Sequence, residues 1–184
     1  MNNEKTNLAE YDNSDYNPGN VFKRVCWFVV NTLFFKSSLI PFYSFKRFLL
    51  RIFGAKIGKA VVIKPGVSIK YPWLLQVGNY CWIGENVWID NLANVQIGDH
   101  VCVSQGAFLF CGNHNFKKKG FDLMLAPIML DDGVWIGAKA IVCPGTVCNS
   151  HAVLTVGSVA VGILEAYSIY RGNPALKLKD RIIK

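Results

Sequence analysis

The chain lacks paired cysteines, a membrane-length apolar run and, over fifty consecutive residues, any acid. Its six cysteines, at 26, 81, 102, 111, 143 and 148, include no Cys-x-x-Cys pair. That spacing speaks against zinc and against a disulfide framework, so no metal is expected and the thiols are read as reduced. The strongest apolar run, Val25–Phe35, stops at Lys36 and is too short to span a bilayer unaided. It follows an acidic start and precedes no small-residue cleavage site, which argues against a signal peptide and for a cytoplasmic protein. From Val21 to Lys70 there are ten Lys/Arg and no Asp or Glu, within a net charge of +8. Such a balance permits nucleic acid, but no aromatic–basic recognition motif accompanies it, and none is expected as a partner.

What the chain has instead is a period. Aliphatic residues recur every six positions at Ile57, Ile63 and Ile69, then Val77, Ile83 and Ile89, then Ile97, Val103 and Leu109. The series returns at Leu130, Ile136, Val142, Cys148, Leu154 and Ala160, and a small or β-branched residue follows most of these four places later. Glycine often comes directly after the aliphatic, as at Gly58, Gly78, Gly84, Gly98 and Gly137. A hexapeptide repeat of this kind specifies a parallel β-helix, an all-β solenoid in which three hexads make one triangular coil. The fifteen register positions predict about five coils, with Cys81 and Cys148 inside as small hydrophobes.

The spacing fails at one corner only. The steps from Ile69 to Val77 and from Ile89 to Ile97 are eight residues, and the step from Leu109 to Leu130 is twenty-one. All three insertions follow the third face, so one edge of the prism bulges repeatedly. The organisation predicted is a flexible or partner-docked arm over residues 1–20, a basic amphipathic helical cap over 21–54, the β-helix over 55–165 with a loop at 111–129, and a C-terminal tail over 166–184. In the cap, Phe42, Phe45, Phe48, Leu49, Ile52 and Phe53 recur at helical spacing with Lys46, Arg47 and Arg51 between them. Helices there would close the open end of the solenoid, and a basic amphipathic surface of this kind also suits peripheral contact with anionic lipid at the inner face of a membrane.

Of the three histidines, His100 and His151 lie three places after a register aliphatic and are expected as solvated corner residues. His114 opens the long excursion, in Cys111-Gly-Asn-His-Asn-Phe116. A loop histidine is most often only a surface residue, but long loops in compact repeats are commonly functional. His114 is therefore the candidate catalytic residue. Asp90 and Asn91 fall in the smaller bulge one coil below, and Glu85 and Asn86 at the corner between the second and third faces of that coil. These four are candidates for hydrogen bonds to a polar substrate, against a plain turn-forming role.

Val95-Gln-Ile-Gly-Asp-His-Val101, Gly112-Asn-His114, Val134-Trp-Ile-Gly-Ala138 and Arg171-Gly-Asn-Pro-Ala175 resemble the left-handed β-helix acyltransferases with hexapeptide repeats. The similarity is closest to the colanic-acid-type exopolysaccharide O-acetyltransferases and runs over about residues 21–180. It implies a homotrimer with acetyl-CoA bound between adjacent prisms, a saccharide acceptor and a loop histidine as general base, here His114. It also implies an oxyanion donor at the amide near Ala138, packing of the pantetheine arm on Trp135 and room for that arm at Gly137; with Leu176 where the family has a basic residue, Lys177, Lys179 and Arg171 are the candidates for the CoA phosphates. The lysines at 117, 118 and 119 are further candidates for the phosphates. The chain departs from the pattern at Asn115, Val161, Gly162 and Leu176. N-acetylation of an amino-sugar and a non-catalytic β-helix scaffold remain alternatives. A zinc hydratase on the same fold would need three converging histidines.

Overall fold

A computed structural model describes residues 5–38 and 40–184; the first four residues of the N-terminal arm lie outside the described residues. Each hexad forms a strand of two or three residues and then a turn. The strands stack into three parallel sheets of six, seven and five strands, one per face, the seventh strand of the second face being added antiparallel. The register is the one the period predicts: Ile57 pairs with Val77, Val77 with Ile97, Ile97 with Leu130, and Leu130 with Cys148. Leu164 and Tyr170 continue the first two columns, so the left-handed β-helix has five complete coils and part of a sixth. The inward aliphatics are buried from Ile57 at the bottom to Leu164 at the top, and Cys81, Cys111 and Cys148 are buried with them.

The recurrent glycine has a steric cause. A Cβ added to Gly84 would lie 2.6 Å from the backbone nitrogen of Gln105 in the next coil. At Gly137 the same atom would lie 2.6 Å from Val156 N, so this glycine is needed for coil stacking whether or not a ligand passes it. At the corner after the first face the chain turns left-handed in every coil: Ala60, Tyr80, His100, His151 and Tyr167 have φ between 50° and 61°, and Gly133 has 68°. An L-residue in that region costs roughly 1 kcal/mol or more. Ring stacking offsets part of this, with Tyr80 on His100 at 5.2 Å and His151 on Tyr167 at 4.7 Å. Beside them runs an Asx ladder: Asn79 Oδ1 accepts from Lys59 N at 2.9 Å, Asp99 Oδ1 from Asn79 N at 2.6 Å, and Asp132 Oδ1 from Asp99 N at 2.7 Å.

The lowest coil has no coil beneath it, so one row of its backbone groups is orphaned. Helix α1 (Val21–Val30), capped by Asn20 and continuing as a π-helical turn over Asn31–Phe35, and helix α2 (Tyr43–Ile52) satisfy that row. Lys46 Nζ donates to Lys64 O at 3.1 Å, Arg47 Nη1 to Val61 O at 2.8 Å, and Arg51 Nη2 to Ile57 O at 2.7 Å. Trp27 Nε1 donates to Ile69 O at 2.8 Å, while Asn31 Oδ1 accepts from Ile69 N at 3.2 Å. The cap is thus turned over relative to the basic surface expected from the sequence. These three basic side chains of α2 point at the solenoid, Lys46 being fully buried, whereas Phe45, Phe48 and Ile52 face outward. At the other end Ser168–Gly172 folds back on Ala175–Asp180, adding an antiparallel strand to the second face.

Two consequences are measurable. Gly84→Ala should lower stability by about 1–3 kcal/mol through overpacking between coils, since its added Cβ would meet backbone of the next coil; denaturant titration against the unsubstituted protein measures the loss. Burial pushes the thiols of Cys81 and Cys111 up to about 11 and that of Cys148 to about 12. Above the ordinary thiol range of about 9 the unfolded chain releases these protons and the folded chain does not, so stability should fall as pH rises from about 9 towards 12. Cys148→Ala should flatten that slope in pH-dependent melting.

Candidate active site

The longest insertion is a β-hairpin rather than an irregular loop. Gly112–His114 pairs antiparallel with Leu123–Leu125, His114 lying opposite Leu123. Its root is tied to the bulge below, through Cys111 N to Asp90 O at 3.2 Å and Ile128 N to Asn94 O at 3.0 Å. His114 is half-buried at the outer end of its strand, stacked on Phe121 with ring centroids 4.6 Å apart and planes 9° apart. Its Nδ1 stands 2.9 Å from Phe121 O. A carbonyl can only accept, so Nδ1 carries the proton, and in the neutral ring Nε2 presents a lone pair. Phe121 itself has φ 55°, a strained conformation for an aromatic residue that aims its carbonyl at the imidazole.

The N-terminal arm lies along this hairpin. Asn7 N donates to Lys119 O at 2.9 Å, and Glu10 pairs with Lys119 Nζ at 2.6 Å. Tyr11 lies 5.9 Å from the His114 ring, and Tyr16 Oη donates to Leu92 O at 3.0 Å. Lys118 pairs with Asp122, so two of the three loop lysines are engaged within the chain. Tyr11 and Phe121 are neighbours of His114 that the hexad pattern does not reveal. The one signal for them was charge: an acidic arm and a single lysine cluster on the loop.

Other predicted residues fall at separate places. Asn91 is wholly buried, its Nδ2 donating to Tyr71 O at 2.6 Å and its Oδ1 accepting from Tyr71 N at 3.0 Å. Asp90 pairs with Lys70 at 3.1 Å. Glu85 and Asn86 are exposed at the corner between the second and third faces, where Asn86 takes φ 56° as a turn residue. Ala138 occupies the same corner two coils higher, and its N–H has no partner among the described residues. Trp135 is 47% exposed, with Nε1 donating to Ser104 Oγ at 2.9 Å. Trp82 stands in the same outward column two strands below, with Cys102 between them. Lys179 lies opposite Ile169 on the terminal hairpin, beyond Val153 in the outward column of Trp135. That is three strand spacings, about 14 Å. Lys177 is bound to Glu165 and Asp180, both at 2.9 Å, which raises its pKa. His114 and Asp90 therefore stand at one edge and Trp135, Gly137, Ala138, Glu85 and Asn86 at or beside another, with the third face between. Among the described residues no group of three His, Cys, Asp or Glu could hold a metal, and no helix is long and apolar enough to cross a membrane.

No protein-family model matches the chain. An Escherichia coli (strain K12) protein assigned to colanic acid biosynthesis as an acetyltransferase is 37% identical over 164 residues, covering 89% of this chain and 90% of its own. The chain belongs to the hexapeptide-repeat acetyltransferase family. The galactoside O-acetyltransferase of the same strain is 23% identical over 136 residues, 72% of this chain and 66% of its own. A hexapeptide-repeat acetyltransferase from Vibrio cholerae O1 biovar eltor, solved with acetyl coenzyme A, superposes with a TM-score of 0.79 at 19% identity, over 88% of each chain. It agrees in fold with this acetyltransferase.

Asn91 separates a structural from a substrate role. Asn91→Ala would leave the backbone N–H of Tyr71 without its acceptor, while Tyr71 O keeps Leu74 N at 3.0 Å, and should cost about 1–3 kcal/mol, read by denaturant titration. Acetyltransferase activity per folded molecule should be unchanged.

Proposed function

We propose that this acetyltransferase moves the acetyl group of acetyl-CoA to a sugar hydroxyl, with His114 as general base, in the synthesis of a surface or exopolysaccharide. The observation that carries the reading is the Nδ1 contact of His114 with Phe121 O at 2.9 Å. It holds the ring in the tautomer whose Nε2 can take a proton. As the hydroxyl oxygen attacks the thioester carbonyl, its proton passes to Nε2. The carbon–sulfur bond then breaks and the proton leaves with the CoA thiol. No covalent enzyme intermediate is required, because the thioester is already activated. The unpaired N–H of Ala138 suits the developing oxyanion. The exposed ring of Trp135 suits the pantetheine arm, and Lys179, three strand spacings along the same column, suits a CoA phosphate. Lys177 would have to exchange its carboxylate partners to do the same. Glu85 and Asn86 remain available to a sugar at the Ala138 corner, and Asp90 only if it leaves Lys70.

A homotrimer follows from this reading. The base and the CoA-binding elements stand on two edges of one triangular prism, and packing prism against prism brings one subunit's hairpin to the other edge of its neighbour. The outward apolar faces of α1 and α2 support peripheral contact at the cytoplasmic face of a membrane. Similarity to a colanic acid relative and to a galactoside O-acetyltransferase favours O-acetylation of a saccharide over transfer to an amino-sugar nitrogen.

His114→Ala should lower turnover of acetyl-CoA with a sugar acceptor by about 10²–10⁴-fold while leaving CoA binding by calorimetry intact. Unchanged turnover over a panel of glycosides would remove His114 from the mechanism. Sedimentation of the purified protein tests the trimer directly.

A further inference from the structure

A cavity of about 570 Å³ lies between α1 and the lower part of the third face, below the edge that carries Asp90 and His114. Its walls divide by chemistry. Val25, Phe28 and Trp88 are apolar, and Arg24, Lys36 and Lys70 bring positive charge, with no acidic residue in the lining among the described residues. Asp90 neutralises Lys70 in part. Arg24 is the telling residue: its Nε is sealed from solvent and, like Asp90 Oδ1, has no hydrogen-bond partner among the described residues, but Asp90 has the ammonium of Lys70 at 3.1 Å whereas Arg24 has no ion pair. Because that Nε is closed to a water-sized atom, an anion in the cavity would meet the other N–H groups of the guanidinium, which have neither an ion pair nor a side-chain hydrogen bond among the described residues; pairing there would offset the cost of holding this charge partly buried. Val25 and Phe28 belong both to this wall and to the exposed apolar side of α1 and its π-helical continuation, where Phe22, Val29 and Leu33 are also exposed.

We infer that this cavity binds the phosphate of an anionic lipid, whose apolar chain lies along the outer face of α1. A second copy of the chain laid on the same surface would cover the apolar residues but leave Arg24 unsatisfied, so charge complementarity favours the lipid. The site also has a direction. Trp88 stacks on Phe108 at 4.6 Å and Phe108 on Phe110 at 4.9 Å. Asp90, which pairs with Lys70, is in register with Phe110. Phe110 therefore stands two strand spacings, about 10 Å, above Lys70, just before the hairpin that bears His114. A sugar attached to the bound phosphate would be led along this aromatic strip towards His114, a consequence that rests on the saccharide acceptor proposed above.

The test uses the full chain and three soluble probes: decyl phosphate, decanol and inorganic phosphate, followed by calorimetry and Trp fluorescence. Saturable binding of decyl phosphate, with decanol and inorganic phosphate each at least tenfold weaker, is expected. Arg24→Gln should weaken decyl phosphate binding roughly ten- to a hundredfold and leave turnover of acetyl-CoA with a free glycoside unchanged. It should also reduce flotation with vesicles of phosphatidylcholine plus phosphatidylglycerol, but not the weaker flotation with phosphatidylcholine alone. Equal binding of inorganic phosphate would make this a free-anion site and overturn the lipid assignment. So would absence of saturable decyl phosphate binding, or a change of sedimenting mass in Arg24→Gln without any change in binding. These readouts need no turnover, so an inactive enzyme that binds decyl phosphate refutes only the function proposed above.

Discussion

The backbone hydrogen-bond ladder between coils is the interaction on which the rest of this structure depends. Each short strand contributes too few residues to be stable alone, and its polar groups are satisfied only by the strand above and the strand below. That requirement sets the close approach of successive coils, and the close approach requires Gly84 and Gly137 where a Cβ would meet backbone. It also dictates the left-handed corner at every turn, including at His100 and His151, whose rings stack on tyrosines of adjoining coils rather than standing free. A ladder of this kind has two ends, and both must be closed. The upper end turns back on itself through Ala175–Asp180. The lower end is closed by side chains, which explains why α2 presents Lys46, Arg47 and Arg51 to the solenoid and its phenylalanines to the outside.

The inversion of α2 alters the meaning of the basic N-terminal section. Positive charge there does not form a broad surface for anionic lipid. Much of it hydrogen-bonds orphaned carbonyls, and the surface left outside is apolar. The cations near the third face, at Arg24, Lys36 and Lys70, are a separate set. They gather in one cavity, where the guanidinium of Arg24 is incompletely satisfied. A membrane would thus be met by apolar side chains, with charge reserved for a localised anion.

The sequence period made the columns, the register and the edge of insertion legible, because an inward position in a narrow prism tolerates only aliphatic or small residues and repeats that demand in every coil. Asn91 shows where such reading ends. From the spacing it is a bulge residue free to meet a sugar, yet its amide is spent on the backbone of Tyr71, a residue of the preceding insertion. Nothing local to Asn91 announces that partner. Gly137 is a similar case: the glycine was legible, but the neighbour that demands it belongs to the next coil.

The sequence by itself determined a β-helix of about five coils, its inward columns, and a histidine at the start of the largest interruption, since all of these follow from a strict local period and its failure. Only the tertiary structure decided that the interruption is a hairpin, that Phe121 O selects the tautomer of His114, and that the acidic arm lies against it. The same is true of the cavity beside α1. These are contacts between segments far apart in the chain, and a six-residue period carries no information about which insertion will fold against which.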